Sequence, residues 1–338
     1  MTWQEVLENA RKTLGPNCRA CPVCDGRACR NKMPGPGAKG SGDGAIRNFD
    51  AWAQIRVNMD TLCPGGEPDP SLTLFGRKFS YPFFAGPVGA VAVHYGDLYT
   101  DAGYNDVLVP ACAEAGIAAF TGDGVDAGVM RSACGAIGRT GGVGVPTVKP
   151  WDRDTVFEKL ALVRESGAFA AAMDVDAAGL PFLRGRIPAA GSKTPEELKE
   201  IIDAAGVPFI VKGIMTAQGA QKARQAGAAA IVVSNHGGRV LDGCPSTAEV
   251  LPEIAEAAAG SMKIFVDGGI RTGLDVFRAL ALGADAVILA RPFVTAMYGG
   301  GAAGVLALTE RLGDELKDVM RMCGAKTLSE ISSGMIRR

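Results

Sequence analysis

The sequence predicts an α/β chain folded as a (β/α)8 TIM barrel behind a short Cys-rich N-terminal extension. Three observations predict it. Apolar runs are continuous rather than alternating, as in parallel strands buried on both faces. Each run follows a helical segment that stops at a glycine. Charged or catalytic residue types stand at the ends of five successive runs, where such a barrel keeps its active site. The length of 338 residues suits one large barrel. A doubly wound open sheet is the alternative that the same pattern leaves open.

Residues 1–45 stand apart as a first segment, with the barrel expected over 46–338. A short amphipathic helix over about Trp3–Leu14 leads into a stretch dense in Cys, Gly and Pro. The barrel strands are expected near Tyr81–Ala85, Ile117–Thr121, Val143–Val148, Phe169–Asp176, Pro208–Gly213, Ala229–Asn235, Lys263–Asp267 and Ala286–Ala290. The joints Ala115-Gly116-Ile117, Ser166-Gly167-Ala168, Ala226-Gly227-Ala228 and Leu282-Gly283-Ala284 repeat one device. A glycine in the left-handed region ends the helix, and small residues let the next strand lie close beneath it.

Composition narrows the function. Lys plus Arg number 35 and Asp plus Glu 36, so nothing favours nucleic acid or an anionic membrane surface. No run of 18 apolar residues occurs, and no membrane span is expected. The N-terminus lacks a signal-peptide pattern. The nine cysteines are therefore expected as thiols or metal ligands in a reducing cytoplasm.

Asp174 and Asp176 end the fourth run, Lys212 the fifth, Asn235 and His236 the sixth, Asp267 the seventh and Arg291 the eighth. Asp267-Gly268-Gly269-Ile270-Arg271 and Ala290-Arg291 lie where barrels bind phosphate, and both arginines suit that anion. A lysine on a buried strand, Lys212, must face the barrel mouth, because an unpaired buried ammonium is costly. His236 sits in an Asn-His-Gly-Gly-Arg turn whose glycines permit close approach of substrate or cofactor. Arg239 could fork onto a carboxylate. A base near neutral pKa beside that arginine suits proton abstraction from a small acid. The other histidine, His94, is read as structural.

Cys18, Cys21, Cys24 and Cys29 follow the spacing C-x2-C-x2-C-x4-C. Thiolates so spaced suit Zn2+ or an iron–sulfur cluster. Redox-active thiols, a disulfide or an inert rim remain alternatives.

From Val211 to about Ile336 the chain resembles the FMN-dependent α-hydroxy-acid oxidases and dehydrogenases. The matching stretches are Val211-Lys212-Gly213, Ser234-Asn235-His236-Gly237-Gly238-Arg239, Asp267-Gly268-Gly269-Ile270-Arg271, Ala290-Arg291-Pro292 and Thr327-Leu328-Ser329-Glu330-Ile331. The resemblance implies FMN as cofactor, a small carboxylate substrate and His236 as the base. Asp176 would orient His236, and Lys212 would steady the reduced flavin. Arg239, with Arg184 or Arg186, would hold the substrate carboxylate. Pro87, Val88 and Gly89 would form the turn under the flavin, with Thr121 touching it. Asp267, Gly268, Gly269, Arg271, Ala290 and Arg291 complete the implied cofactor site. A homo-oligomer, tetramer or higher, is also implied.

The chain departs from that family in two places. The family's N-terminal tyrosine pair falls near Pro34-Gly35, and its third-strand tyrosine near Pro146-Thr147-Val148, with Lys149 close by. The expected function is oxidation of a small 2-hydroxy acid, with electrons passing through FMN to O2 or to an acceptor protein. A non-redox FMN isomerase of the isopentenyl-diphosphate type 2 kind and a non-catalytic flavin or metal binder are the alternatives.

Overall fold

The computed structural model describes residues 1–258 and 260–338. Eight parallel strands form its centre: β1 (Phe83–Ala85), β2 (Phe120–Thr121), β3 (Val145–Val148), β4 (Ala171–Asp174), β5 (Phe209–Ile214), β6 (Ala230–Val233), β7 (Lys263–Val266) and β8 (Ala286–Leu289). Each pairs with its sequence neighbour, and β8 pairs with β1. A parallel bridge between Ala85 and Ala119 joins β1 to the start of β2 and closes the ring. Closure excludes the doubly wound alternative, which needs two free edges. Every strand lies inside its expected run apart from Ile214, which extends β5 by one residue.

The barrel interior is a packed core. Phe84, Phe120 and Phe265 meet inside it, with ring centroids 5.8–6.4 Å apart in tilted or edge-on contacts. Edge-on contact suits the ring quadrupoles, and three phenyl groups fill the space that the alanines of β4 leave.

The helices start where the sequence supplies caps. Thr100, Asp126, Asp152, Thr194, Thr216 and Thr272 each accept a backbone N–H in the first turn of the helix that follows. Each such cap contributes about 1 kcal/mol.

The first 45 residues do not form a separate body. Helix α1 (Trp3–Thr13) packs along the final long helix, Arg291–Met322, and Thr13 donates its hydroxyl to the Tyr298 carbonyl at 2.6 Å. Helix α2 (Asp43–Gln54) runs across the expected boundary and lies over the barrel mouth. The helix Arg291–Met322 is long and apolar enough to cross a membrane by length and composition. However, it bends at Gly301, and 72% of its most apolar stretch is buried inside the protein. It is a core helix here.

Candidate active site

A cavity of about 680 Å3 opens at the C-terminal ends of the strands. Its lining includes Pro87, Val88, Gly89, Lys212, His236, Arg239, Asp267, Gly268, Gly269, Arg271, Ala290 and Arg291. These residues come from the ends of β1, β5, β6, β7 and β8, so the closed ring brings together what the sequence spreads over two hundred positions.

His236 stands in a short turn after β6 with φ of +56°, a left-handed conformation that is uncommon for a residue with a Cβ. Its Nδ1 lies 3.1 Å from Asp176 Oδ1. Asp176 sits two residues beyond β4, in a 3-10 turn over Val175–Gly179, and not on the strand as expected. Burial opposes its charge, but Lys212 and then His236 outweigh burial, and the carboxyl is held below its ordinary value. An ionised Asp176 can only accept, so Nδ1 carries the proton of the neutral ring. Nε2 is then the nitrogen able to take a proton.

Lys212 is buried and donates to Ser234 Oγ at 2.9 Å, with Asp267 Oδ2 at 3.4 Å. Burial works against its charge. The carboxylates of Asp176, Asp267 and Asp174 overcome that and push its pKa above the usual lysine value. Gly213, with φ of +106°, makes the arrangement fit: a Cβ there would stand 2.6 Å from Asp176 Cβ. Lys149, nearby on the cavity wall, pairs with Asp174 at 2.9 Å. The acceptor atoms of Asp174, Asp176 and His236 lie within 4.8 Å of one another. Two ammonium groups already neutralise those carboxylates, so the trio is a proton network rather than a cation site.

Gly237 lines the cavity, whereas Gly238 of the same turn and Gly269 after β7 meet a protein neighbour. A Cβ on Gly238 would stand 2.8 Å from the Ala45 backbone, and one on Gly269 would stand 2.2 Å from the Asn48 carbonyl. The close approach is that of α2. Asn48 on α2 is buried and exchanges side-chain hydrogen bonds with Asn235, and its Oδ1 also accepts from Thr247 N at 3.2 Å. The sequence reading missed this link, since an asparagine within a helix carries no local signal.

The arginines divide. Arg239 is largely buried on the cavity wall, with Nη1 donating to the carbonyls of Gly35 at 2.5 Å and Gly37 at 3.0 Å. Arg291 donates to Gly237 O at 3.2 Å, and Arg271 donates through Nε to Cys24 O at 2.8 Å. Arg184 is exposed and away from the cavity, whereas Arg186 lines it. Thr121 is buried behind the lining. His94, read as structural, also lines the cavity; its Nδ1 accepts from Gly35 N at 3.0 Å. Burial first, then the charges of Arg239 and Lys149, pull its pKa down to about 4.

Several buried polar atoms of this region have no hydrogen-bond partner among the described residues: Thr121 Oγ1, Thr147 Oγ1, Asp174 Oδ1, Asp176 Oδ2 and Asp267 Oδ1. Buried polar groups are normally paired. Five orphans at the ends of β2, β3, β4 and β7 mark a place built to meet a polar ligand.

The four N-terminal cysteines all line a second cavity of about 350 Å3, whose wall shares Tyr95, Arg271 and Arg291 with the first. Among the described residues, no three of their sulfurs lie within 4.8 Å of one another. All nine cysteines are free.

Known proteins share this architecture and these motifs. The sequence is 50% identical over 137 residues to an L-lactate dehydrogenase of Vibrio parahaemolyticus serotype O3:K6, covering 40% of this chain and 36% of that protein. It is 44% identical over 144 residues to an L-lactate oxidase of Lactobacillus jensenii, covering 43% and 35%. These matches therefore span about a third of the length of each relative. A mandelate oxidase variant solved with 2-hydroxy-phenylacetamide superposes with a TM-score of 0.79 at 26% identity, over 97% of this chain and 95% of that one. The profile of the FMN-dependent dehydrogenases matches residues 35–184 and 185–338, and the chain belongs to that family.

Proposed function

We propose that this protein oxidises a small 2-hydroxy acid to the 2-oxo acid, with FMN as cofactor. The observation that carries the reading is the His236–Asp176 pair at 3.1 Å beside a buried, multiply paired Lys212 in one cavity. It leaves Nε2 as the ring nitrogen without a protein partner among the described residues, at a site rich in fixed positive charge.

FMN fits the residues present. The cavity of about 680 Å3 is large enough for a flavin and a small acid. The orphaned Thr121, Thr147 and Asp267 atoms offer polar contacts for a ring edge or a ribityl chain. Arg271, Arg291 and the Gly268-Gly269 turn would hold the phosphate, and Lys212 would meet the flavin edge that gains negative charge. When bound, FMN supplies the two-electron acceptor.

The chain's own residues do the rest. Arg239 draws the substrate carboxylate, and its Nη1 bonds to Gly35 and Gly37 fix the plane of the guanidinium before binding. Arg186, on the cavity wall, is the second candidate for that carboxylate, in place of Arg184. His236 Nε2 takes the hydroxyl proton. Asp176 holds the opposite ring nitrogen and stabilises the imidazolium that results. Met33, Pro34 and His94 occupy the part of the wall near which the family's tyrosine pair falls in the sequence.

Oxidation by O2 or by an acceptor protein, a homo-oligomer and a cytoplasmic location complete the proposal. The free thiols fit the reducing compartment. No observation favours the isomerase reading. The test is anaerobic mixing of the holoenzyme with a panel of short and aromatic 2-hydroxy acids. Bleaching of the flavin band by at least one acid, abolished in His236→Ala, is expected. A flavin that no 2-hydroxy acid bleaches would overturn the proposal.

A further inference from the structure

We propose that Cys18, Cys21, Cys24 and Cys29 hold an iron–sulfur cluster against the Arg271–Arg291 wall of the flavin cavity.

The spacing is the first reason. Four thiols within twelve residues, as C-x2-C-x2-C-x4-C, let one loop wrap a single polynuclear centre. The fold supplies the second. All four side chains line one cavity of about 350 Å3, each half-buried.

The sulfurs are not gathered as a single-ion site requires. A tetrahedral zinc, with Zn–S bonds of ~2.3 Å, sets its four sulfurs ~3.8 Å apart. No three of these sulfurs lie within 4.8 Å of one another. In a cubane each thiolate binds a different iron, so the ring of sulfurs must be wider than around one ion. Four half-buried thiols lining one cavity suit the polynuclear centre.

The loop is held in that shape by contacts that do not involve sulfur. Arg271 Nε donates to Cys24 O at 2.8 Å, and Arg11 Nε donates to Ala20 O at 3.2 Å. Gly26 takes φ of +88°, and a Cβ there would stand 3.0 Å from Ala45 Cβ, so the loop is seated on the start of α2. Charge is complementary as well. A cluster with four thiolates is anionic, and Arg271 and Arg291 stand in the cavity wall.

The test is chemical analysis of the holoenzyme purified without oxygen. Iron and acid-labile sulfide in equal amounts are expected, with a paramagnetic signal after dithionite reduction. Cys24→Ser and Cys29→Ser should lose most of the iron and that signal while keeping the flavin. Cys63→Ser, outside the loop, should keep all three. One zinc per chain without sulfide would overturn the proposal. So would protein that stays free of iron after treatment with ferrous iron and sulfide, or iron that survives both loop substitutions. If the loop variants do not fold, the iron, sulfide and zinc content of the unaltered chain still decides. None of these readouts uses turnover of a hydroxy acid, so the result stands apart from the oxidation reading.

Discussion

The side-chain amides of Asn48 and Asn235 exchange two hydrogen bonds, at 2.7 and 3.0 Å, across 187 residues of sequence. One partner lies on α2 and the other immediately precedes His236. Asn235 Oδ1 also accepts from Gly238 N at 3.1 Å, so the pair holds the turn that carries His236. Asn48→Ala takes one partner from each end of the Asn235 amide and leaves the buried Thr247 N–H without its acceptor, which costs about 1–3 kcal/mol. The expected result is a lower unfolding midpoint in urea together with a reduced kcat. Turnover unchanged in Asn48→Ala would show that α2 does not position His236.

Asp176 fixes which nitrogen of His236 is free. In Asp176→Asn the amide can present either face, and the ring can flip its tautomer. His236→Ala removes the base outright. General base catalysis contributes roughly 10²–10⁴-fold, and each single change should lower kcat within that range. The double variant should be little worse than His236→Ala, because the two residues act as one unit. Additive losses in a double-mutant cycle would separate their roles.

His94 predicts a pH dependence. Its folded pKa is depressed to about 4 from 6.5, by burial and then by Arg239, Lys149 and His236. Between those values the unfolded chain binds a proton that the folded chain refuses. Stability therefore falls as pH drops through about 6.5 and goes on falling toward 4. In His94→Asn an amide oxygen can still accept from Gly35 N, and the titration is gone. Melting temperature measured from pH 7.5 to 4.5 should fall less steeply in the variant. Parallel curves would refute the assignment.

The eight strands were legible because a strand buried on both faces must be apolar throughout, and glycines mark each return. Lys212, His236 and Asp267 were legible because a polar residue closing such a run has only the barrel mouth to face. Arg186 was not distinguishable from Arg184. Both lie just beyond the 3-10 turn Pro181–Leu183, where no periodicity sets a face. His94 was read as structural, and its Nδ1 accepts from the Gly35 backbone; that it also lines the cavity was not legible, because the contact spans 59 residues. Gly238 was recognised as a site of close approach, and Gly269 as part of a phosphate turn. That the approaching atoms belong to α2 depends on tertiary packing, which no local pattern encodes.

Lys212 offers the sharpest electrostatic test. Its ammonium faces the carboxylates of Asp176, Asp267 and Asp174 in a buried setting. Lys212→Met keeps most of the stem and removes the charge. Breaking a buried ion pair by deleting one partner costs roughly 3–5 kcal/mol, since the carboxylates are left uncompensated. Asp176 would then lose the largest of the three charges that hold its pKa down, those of Lys212, His236 and Lys149, against burial that raises it. In the unaltered protein the depressed Asp176 pKa contributes stability that is present above the ordinary carboxylate value. That contribution is lost as pH falls through the folded pKa. With Lys212 gone the carboxyl protonates at higher pH, and the acid limb of both stability and kcat should move upward. A protonated Asp176 no longer holds Nδ1–H, so the base fails with it. An acid limb unmoved in Lys212→Met would mean that His236 and Lys149 suffice to keep Asp176 ionised.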